Sequence, residues 1–150
     1  MKSSSLIARK LGNTTSVIVA APAYLERFGQ PDTIKALEKH NRLSFCYTRA
    51  IEGWPLLVNG TVTTIPASGR VQAGDGEALR QLALAGVGLA RLATFMVRED
   101  IQAGRLIAVL EDCNPGDLEE FHAVYIGQGG PLPARVRALL DFLVETVRMA

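Results

Sequence analysis

The stretch Gly74-Asp75-Gly76-Glu77 stands directly before apolar residues at helical spacing, Leu79, Leu82, Ala83 and Gly86. A start of this kind does chemistry without a nucleophile. The first turn of a helix presents unpaired amide N–H groups and a partial positive charge, so a capping aspartate between two glycines creates a seat for a carboxylate or another anion. The same residues admit a structural reading, in which Asp75 only caps and Gly86 and Gly88 let the helix pack closely on a sheet. Cys46, Asp75 and His122 can be written on paper as a thiol triad, but none stands in a local catalytic signature, and His122 opens a strand where histidine is commonly structural. We therefore expect no catalysis, no metal site and no cofactor. Cys46 and Cys113 are far apart, with neither a Cys-x-x-Cys spacing nor a histidine pair nearby, which fits two reduced thiols. His40, beside Asn41, reads as a helix C-terminal residue favoured by the helix dipole.

These groups need elements to position them. Ser16–Ala21 reads as a buried strand, and Pro22 starts a short helix through Tyr24, Leu25 and Phe28 that Gly29 stops. Pro31-Asp-Thr33 opens a second helix, with Ile34 and Leu37 on one face and Asn41 closing it. Leu43, Phe45 and Tyr47 alternate with Ser44 and Cys46 as a strand with unequal faces. Between Trp54 and Ile65 the dipeptide Asn59-Gly60 predicts a tight hairpin, placed at a sheet edge by Pro55. A strand over 70–73 leads into the helix capped by Asp75. On that helix Glu77, Arg80 and Gln81 point away from the core, and Leu84 is expected beneath a loop or a partner subunit. A strand over 87–92, a helix over 95–103 stopped by Gly104, and a strand over 106–110 follow. Alternating strands and helices imply a three-layer α/β sheet. The tail predicts a helix that buries Val136, Leu139, Leu140, Leu143 and Val147. If no other part of the chain covers that stripe, self-association is expected.

At 150 residues, 48% apolar and 21% charged, the composition is that of a globular domain. No apolar run approaches the roughly 18 to 20 residues of a membrane span, and the first ten residues lack the apolar core of a secretory signal. A cytoplasmic location with no membrane partner is the expectation. Lys and Arg total 16 against 15 Asp and Glu, and the basic residues are scattered, so the chain alone is not expected to grip duplex DNA.

Five pieces in order carry a resemblance: "SSLIARKLG" at 4–12, "VIVAAPAYLERFGQP" at 17–31, "GRVQAGDGEALRQLALAGVGLARL" at 69–92 after Trp54, "GRLIAVLEDCNPGDLEEFHAVY" at 104–125 and "LPARVRALLDFLVE" at 132–145. Together they resemble the effector-binding region of LysR-type transcriptional regulators. The resemblance implies an α/β, three-layer, periplasmic-binding-protein-like (type 2) lobe with hinge strands and remnants of a first lobe. A small effector, possibly anionic, would be held between the lobes, and DNA would be read by a winged helix-turn-helix outside this chain. On that plan residues 1–16 are a remnant of the first lobe, with Met1-Lys2 an added start. Residues 17–126 are the second lobe with its hinge strands, 17–21 and 122–126, and 127–150 are a linker and first-lobe helix. The chain is expected to be a fragment that works as a homodimer or tetramer. The implied effector-binding residues are Gly74, Asp75, Gly76, Glu77, Ala21, Tyr47 and Arg91.

The sequence departs from the family pattern at Gly74, Ala21 and Ala93, where Asn, Ser and Pro are frequent, so two polar contacts are expected to be missing. The rival readings are a lobe of a free-standing solute-binding protein and a pure interaction module.

Overall fold

A computed structural model describes residues 5–49, 52–127 and 130–147. Expectations about residues 1–4, 128–129 and 148 fall outside them. The elements run β1 (Leu6–Thr14), β2 (Ser16–Ala20), α1 (Pro22–Phe28), β3 (Ser44–Phe45), β4 (Trp54–Val58), β5 (Thr61–Ile65) and β6 (Gln72–Ala73). They continue with α2 (Gly76–Leu84), β7 (Ala90–Ala93), α3 (Thr94–Gln102), β8 (Ile107–Val109), β9 (Glu119–Ile126) and α4 (Ala134–Thr146). Two compact units result, one of residues 15–117 and one of residues 1–14 with 118–150. β9 thus groups with β1, whereas β2 stands wholly in the other unit.

In the larger unit β2 is buried along its whole length and lies between β7 and β8, antiparallel to both. Its residues alternate between two cores. Ile18 and Ala20 face Tyr24, Leu25, Trp54 and Leu56, while Val17 and Val19 face Leu79, Ala83 and Val97 of α2 and α3. Helices α2 and α3 therefore cover one face, and α1 with the β4–β5 hairpin covers the other, in agreement with the α/β alternation. The hairpin turns at Asn59 (φ 49°) and Gly60 (φ 77°), both left-handed as a two-residue turn between twisted strands requires. It pairs with no other strand among the described residues, and Pro55 is buried opposite Thr64 rather than at the edge of a larger sheet.

Several expectations need correcting. The second helix is only a 3-10 turn, Lys35–Lys39, because its five residues are too few to offset the costly nucleus of an α-helix. Asn41 does not end it but ties three segments together. Its Nδ2 donates to the Val87 carbonyl at 2.8 Å, its Oδ1 accepts from the Arg70 amide at 2.9 Å, and its carbonyl accepts from the Leu89 amide at 2.9 Å. Gly88 is needed at this junction, since a Cβ there would stand 2.3 Å from the Asn41 carbonyl oxygen. His40 does not use its ring on the helix end. Its Nδ1 meets the Tyr24 hydroxyl at 3.0 Å, and burial holds the imidazole below its ordinary pKa and the Tyr24 phenol above its own.

The strand expected over 43–47 shortens to Ser44–Phe45, because its parallel partner β6 ends at Ala73 where the chain turns into α2. Arg80 does not point away from the core. Its Nε donates to Asp100 of α3 at 2.6 Å, and Arg105 Nε donates to the other Asp100 oxygen at 2.7 Å. Asp100 is fully buried, and these bonds, Arg80's foremost, hold its carboxyl below the usual carboxylate range. Leu84 packs against the core shared by α2 and α3.

In the smaller unit β1 and β9 pair antiparallel, with a shift in register between Lys10 and Gly12. Arg9 reaches Asp141 of α4 at 2.8 Å. Only part of the expected tail stripe is covered: Leu140 is buried, Val136, Leu143 and Val147 are half-buried, and Leu139 is 57% exposed.

Candidate functional site

Strand directions locate the site. β3 and β6 run parallel, a parallel bridge joins Arg42 to Leu89 just before β7, and β7 and β8 share one direction because both oppose β2. The carboxyl ends of β3, β6, β7 and β8 therefore lie along one edge of the larger unit. Helix α2 starts from β6 and α3 from β7, so two helix N-termini open at that edge, the arrangement that makes such edges ligand-binding crevices in α/β sheets.

The start of α2 is built as its sequence implies. Asp75, extended at φ −154°, accepts the Ala78 amide on its side chain at 2.8 Å. Its carbonyl takes the Leu79 amide at 3.3 Å. The amides of Gly76 and Glu77 are then left without an acceptor among the described residues, and they are the donors an anion would use. Glu77 accepts from Arg80 at 2.9 Å and from Gln81 at 2.8 Å. Its carboxylate is thereby held along the helix.

The two glycines differ. A Cβ on Gly74 would meet nothing within 4 Å, whereas one on Gly76 would stand 2.9 Å from Met96 Cε and 3.1 Å from its Sδ. Gly74 thus opens onto free space, while Gly76 accommodates the first turn of α3. This divides between them a task that the sequence assigns to both.

Of the implied effector-binding residues, Gly74, Asp75, Gly76, Glu77 and Tyr47 come to one edge. Tyr47 follows β3, whose Phe45 lies opposite Ala73 and whose Cys46 amide donates to the Ala73 carbonyl at 3.0 Å. Ala21 does not join them. It follows the carboxyl end of β2, which runs the other way, and is buried as the residue that starts α1. Arg91 does not join them either. It pairs with Ile18 on the face that α2 does not cover, and its guanidinium meets Asp117 at 2.5 Å. The sequence does not single out Phe45 or Met96, which stand beside the Asp75 edge. The pairing of Phe45 with Tyr47 two residues on was the available signal, and the approach of Met96 from another helix had none.

Comparison with known proteins agrees with this architecture. The family model for the LysR substrate binding domain matches residues 2–148. The HTH-type transcriptional regulator CrgA of Neisseria meningitidis is 34% identical over 142 residues, covering 95% of this chain and 47% of its own length. An HTH-type transcriptional regulator of Xanthomonas campestris is 33% identical over 145 residues, covering 94% of this chain and 42% of its own. The solved regulatory domain of CrgA superposes with a TM-score of 0.88 at 32% identity, covering 99% of this chain and 72% of that one. The chain spans about half the length of the regulators it matches.

Proposed function

Because the chain belongs to the LysR substrate binding domain family, we propose that it is the effector-sensing part of a longer transcriptional regulator, with the effector seated where α2 begins. The observation that carries this is the Gly74-Asp75-Gly76 turn. It leaves open space at Gly74 and turns the Gly76 and Glu77 amides outward at the carboxyl ends of parallel strands. A small, anionic metabolite fits those donors, since Asp75 and Glu77 are already bonded within α2. The relatives are HTH-type regulators, which favours this reading over a free-standing solute-binding protein.

The chain's own role in this scheme is to bind, not to catalyse. DNA recognition belongs to a helix-turn-helix elsewhere in the longer protein, which works in the cytoplasm as a homodimer or tetramer. A ligand shifts such a system only through its differential affinity for two arrangements, and a coupling of about 1 to 3 kcal/mol changes DNA affinity roughly 5- to 150-fold.

Gly74→Leu in the complete regulator tests the site, because the new side chain enters open space and crowds the seat without striking the core. Operator affinity without effector should be unchanged and the response to effector lost. A Gly74→Leu regulator that responds as the parent does would place the effector elsewhere.

A further inference from the structure

Strand β5 is exposed from Thr61 to Thr64, with Val62 55% exposed, and pairs only with β4 among the described residues. Pro55 has no N–H, so Pro55 and Thr64, which stand opposite, form the kind of antiparallel pair that exchanges no hydrogen bonds, and by alternation Leu57 and Val62 form the next. The Val62 and Thr64 amides and carbonyls therefore point away from β4, where no described residue meets them. The two edges of the hairpin differ. Pro55 removes a donor from the outer edge of β4, whereas β5 carries none of the charges, prolines or bulges by which proteins protect an open edge.

We propose that the β5 edge pairs with β5 of a second copy of this chain, antiparallel across a twofold axis at Thr63. In that register the outward groups of Val62 in each copy face those of Thr64 in the other, so each Val62–Thr64 pair exchanges both of its hydrogen bonds, and Thr63 meets its own counterpart on the axis at a non-hydrogen-bonded position. Charge favours the same occupant. A twofold contact sets residues near the axis against their equivalents, so a charged strand repels its own copy. No charged residue occurs from Gly53 to Gly69, while β1 carries Arg9 and Lys10 and β9 carries Glu119 and Glu120. Thr63 against Thr63 and Val62 against Thr64 are also the β-branched pairs that suit a cross-strand contact. A five-residue strand buries less than the roughly 1,000 Å² of a stable interface. The pairing is therefore weak alone and adds to other contacts where copies are already joined. It does not depend on where an effector sits.

The test is sedimentation of the chain over a concentration series up to about 1 mM, with amide shifts of the isotopically labelled chain followed over the same series. Weak dimerisation is expected, and the Val62 and Thr64 amides should shift as the dimer fills. Thr63→Lys and Thr63→Glu each set like charges opposite one another on the axis and should weaken the dimer about fivefold, from an exposed position that leaves the core of the monomer alone. An equimolar mixture of the two variants should associate at least as tightly as the parent chain, a rescue that misfolded variants would not give. A chain that stays monomeric across the series overturns the proposal. So does association that Thr63→Lys leaves unchanged, which would assign it to another face such as the exposed Leu139 and Phe142 of α4. A mixture no tighter than its components removes Thr63 from the axis and overturns it as well.

Discussion

Replacing Asp100 by alanine probes the tie that holds the start of α2 in place. Asp100 belongs to α3, is fully buried, and accepts from Arg80 of α2 and from Arg105. Met96, about one turn earlier in α3, is the side chain that lies against Gly76. The Arg80 bond is shielded, with that side chain 22% exposed, and a hydrogen bond to a charged partner in such a setting contributes about 1.5 to 3 kcal/mol. The Arg105 side chain is 53% exposed, so solvent screening reduces its share to about 0.5 kcal/mol. Asp100→Ala should therefore destabilise the larger unit by about 2 to 4 kcal/mol, read as a lower urea midpoint by circular dichroism. Asp100→Asn keeps the shape but removes the charge and one of the two acceptors, so it should lose about as much as Asp100→Ala. The folded pKa of Asp100 lies below its unfolded value of about 4. Its contribution is therefore complete above that pH and declines as pH falls through the depressed folded value. A change below about 0.5 kcal/mol in Asp100→Ala, within the range of ordinary surface substitutions, would refute this account of how α2 and α3 are joined.

Gly88→Ala should lower stability by about 1 to 3 kcal/mol, because its Cβ meets the Asn41 carbonyl at 2.3 Å. Gly74→Ala, which meets nothing, should stay within about 0.5 kcal/mol in the same urea assay. His40 is held below its ordinary pKa by burial, so the folded state binds fewer protons there than the unfolded chain. Its contribution is present above about pH 6.5 and is lost as pH falls from there through the folded value. Stability measured against pH should show that decline in the parent chain and a flatter profile in His40→Gln.

How much the sequence discloses varies with the range of the interaction. The β2 strand, the Pro22 start and Gly29 stop of α1, the Asn59-Gly60 turn and the Asp75 cap are written in residues within a few positions of one another, and all were legible. Arg80 was misplaced because its wheel position looks solvated and its partner Asp100 arrives from another helix. Asn41 reads as a helix end in the sequence because Arg70, Val87 and Leu89, which it bonds, come from segments 29 to 48 residues further along the chain. At the candidate site, Gly74–Glu77 is a local signal, whereas grouping it with Tyr47 needs the β3–β6 register, and separating it from Ala21 and Arg91 needs strand direction and face. The tail stripe was legible as a helix, but which of its residues are covered depends on β1 and β9.

The central claim is that an effector occupies the edge where α2 begins. The most direct measurement screens a metabolite library against the isotopically labelled chain and maps each hit by its amide shifts. Effector binding should move Tyr47 and the amides of Gly74, Asp75, Gly76 and Glu77 first and furthest, and Gly74→Leu should abolish those shifts while leaving the spectrum of the core intact. A ligand that binds specifically while these amides stay still, or that binds Gly74→Leu as it binds the parent chain, would contradict the account.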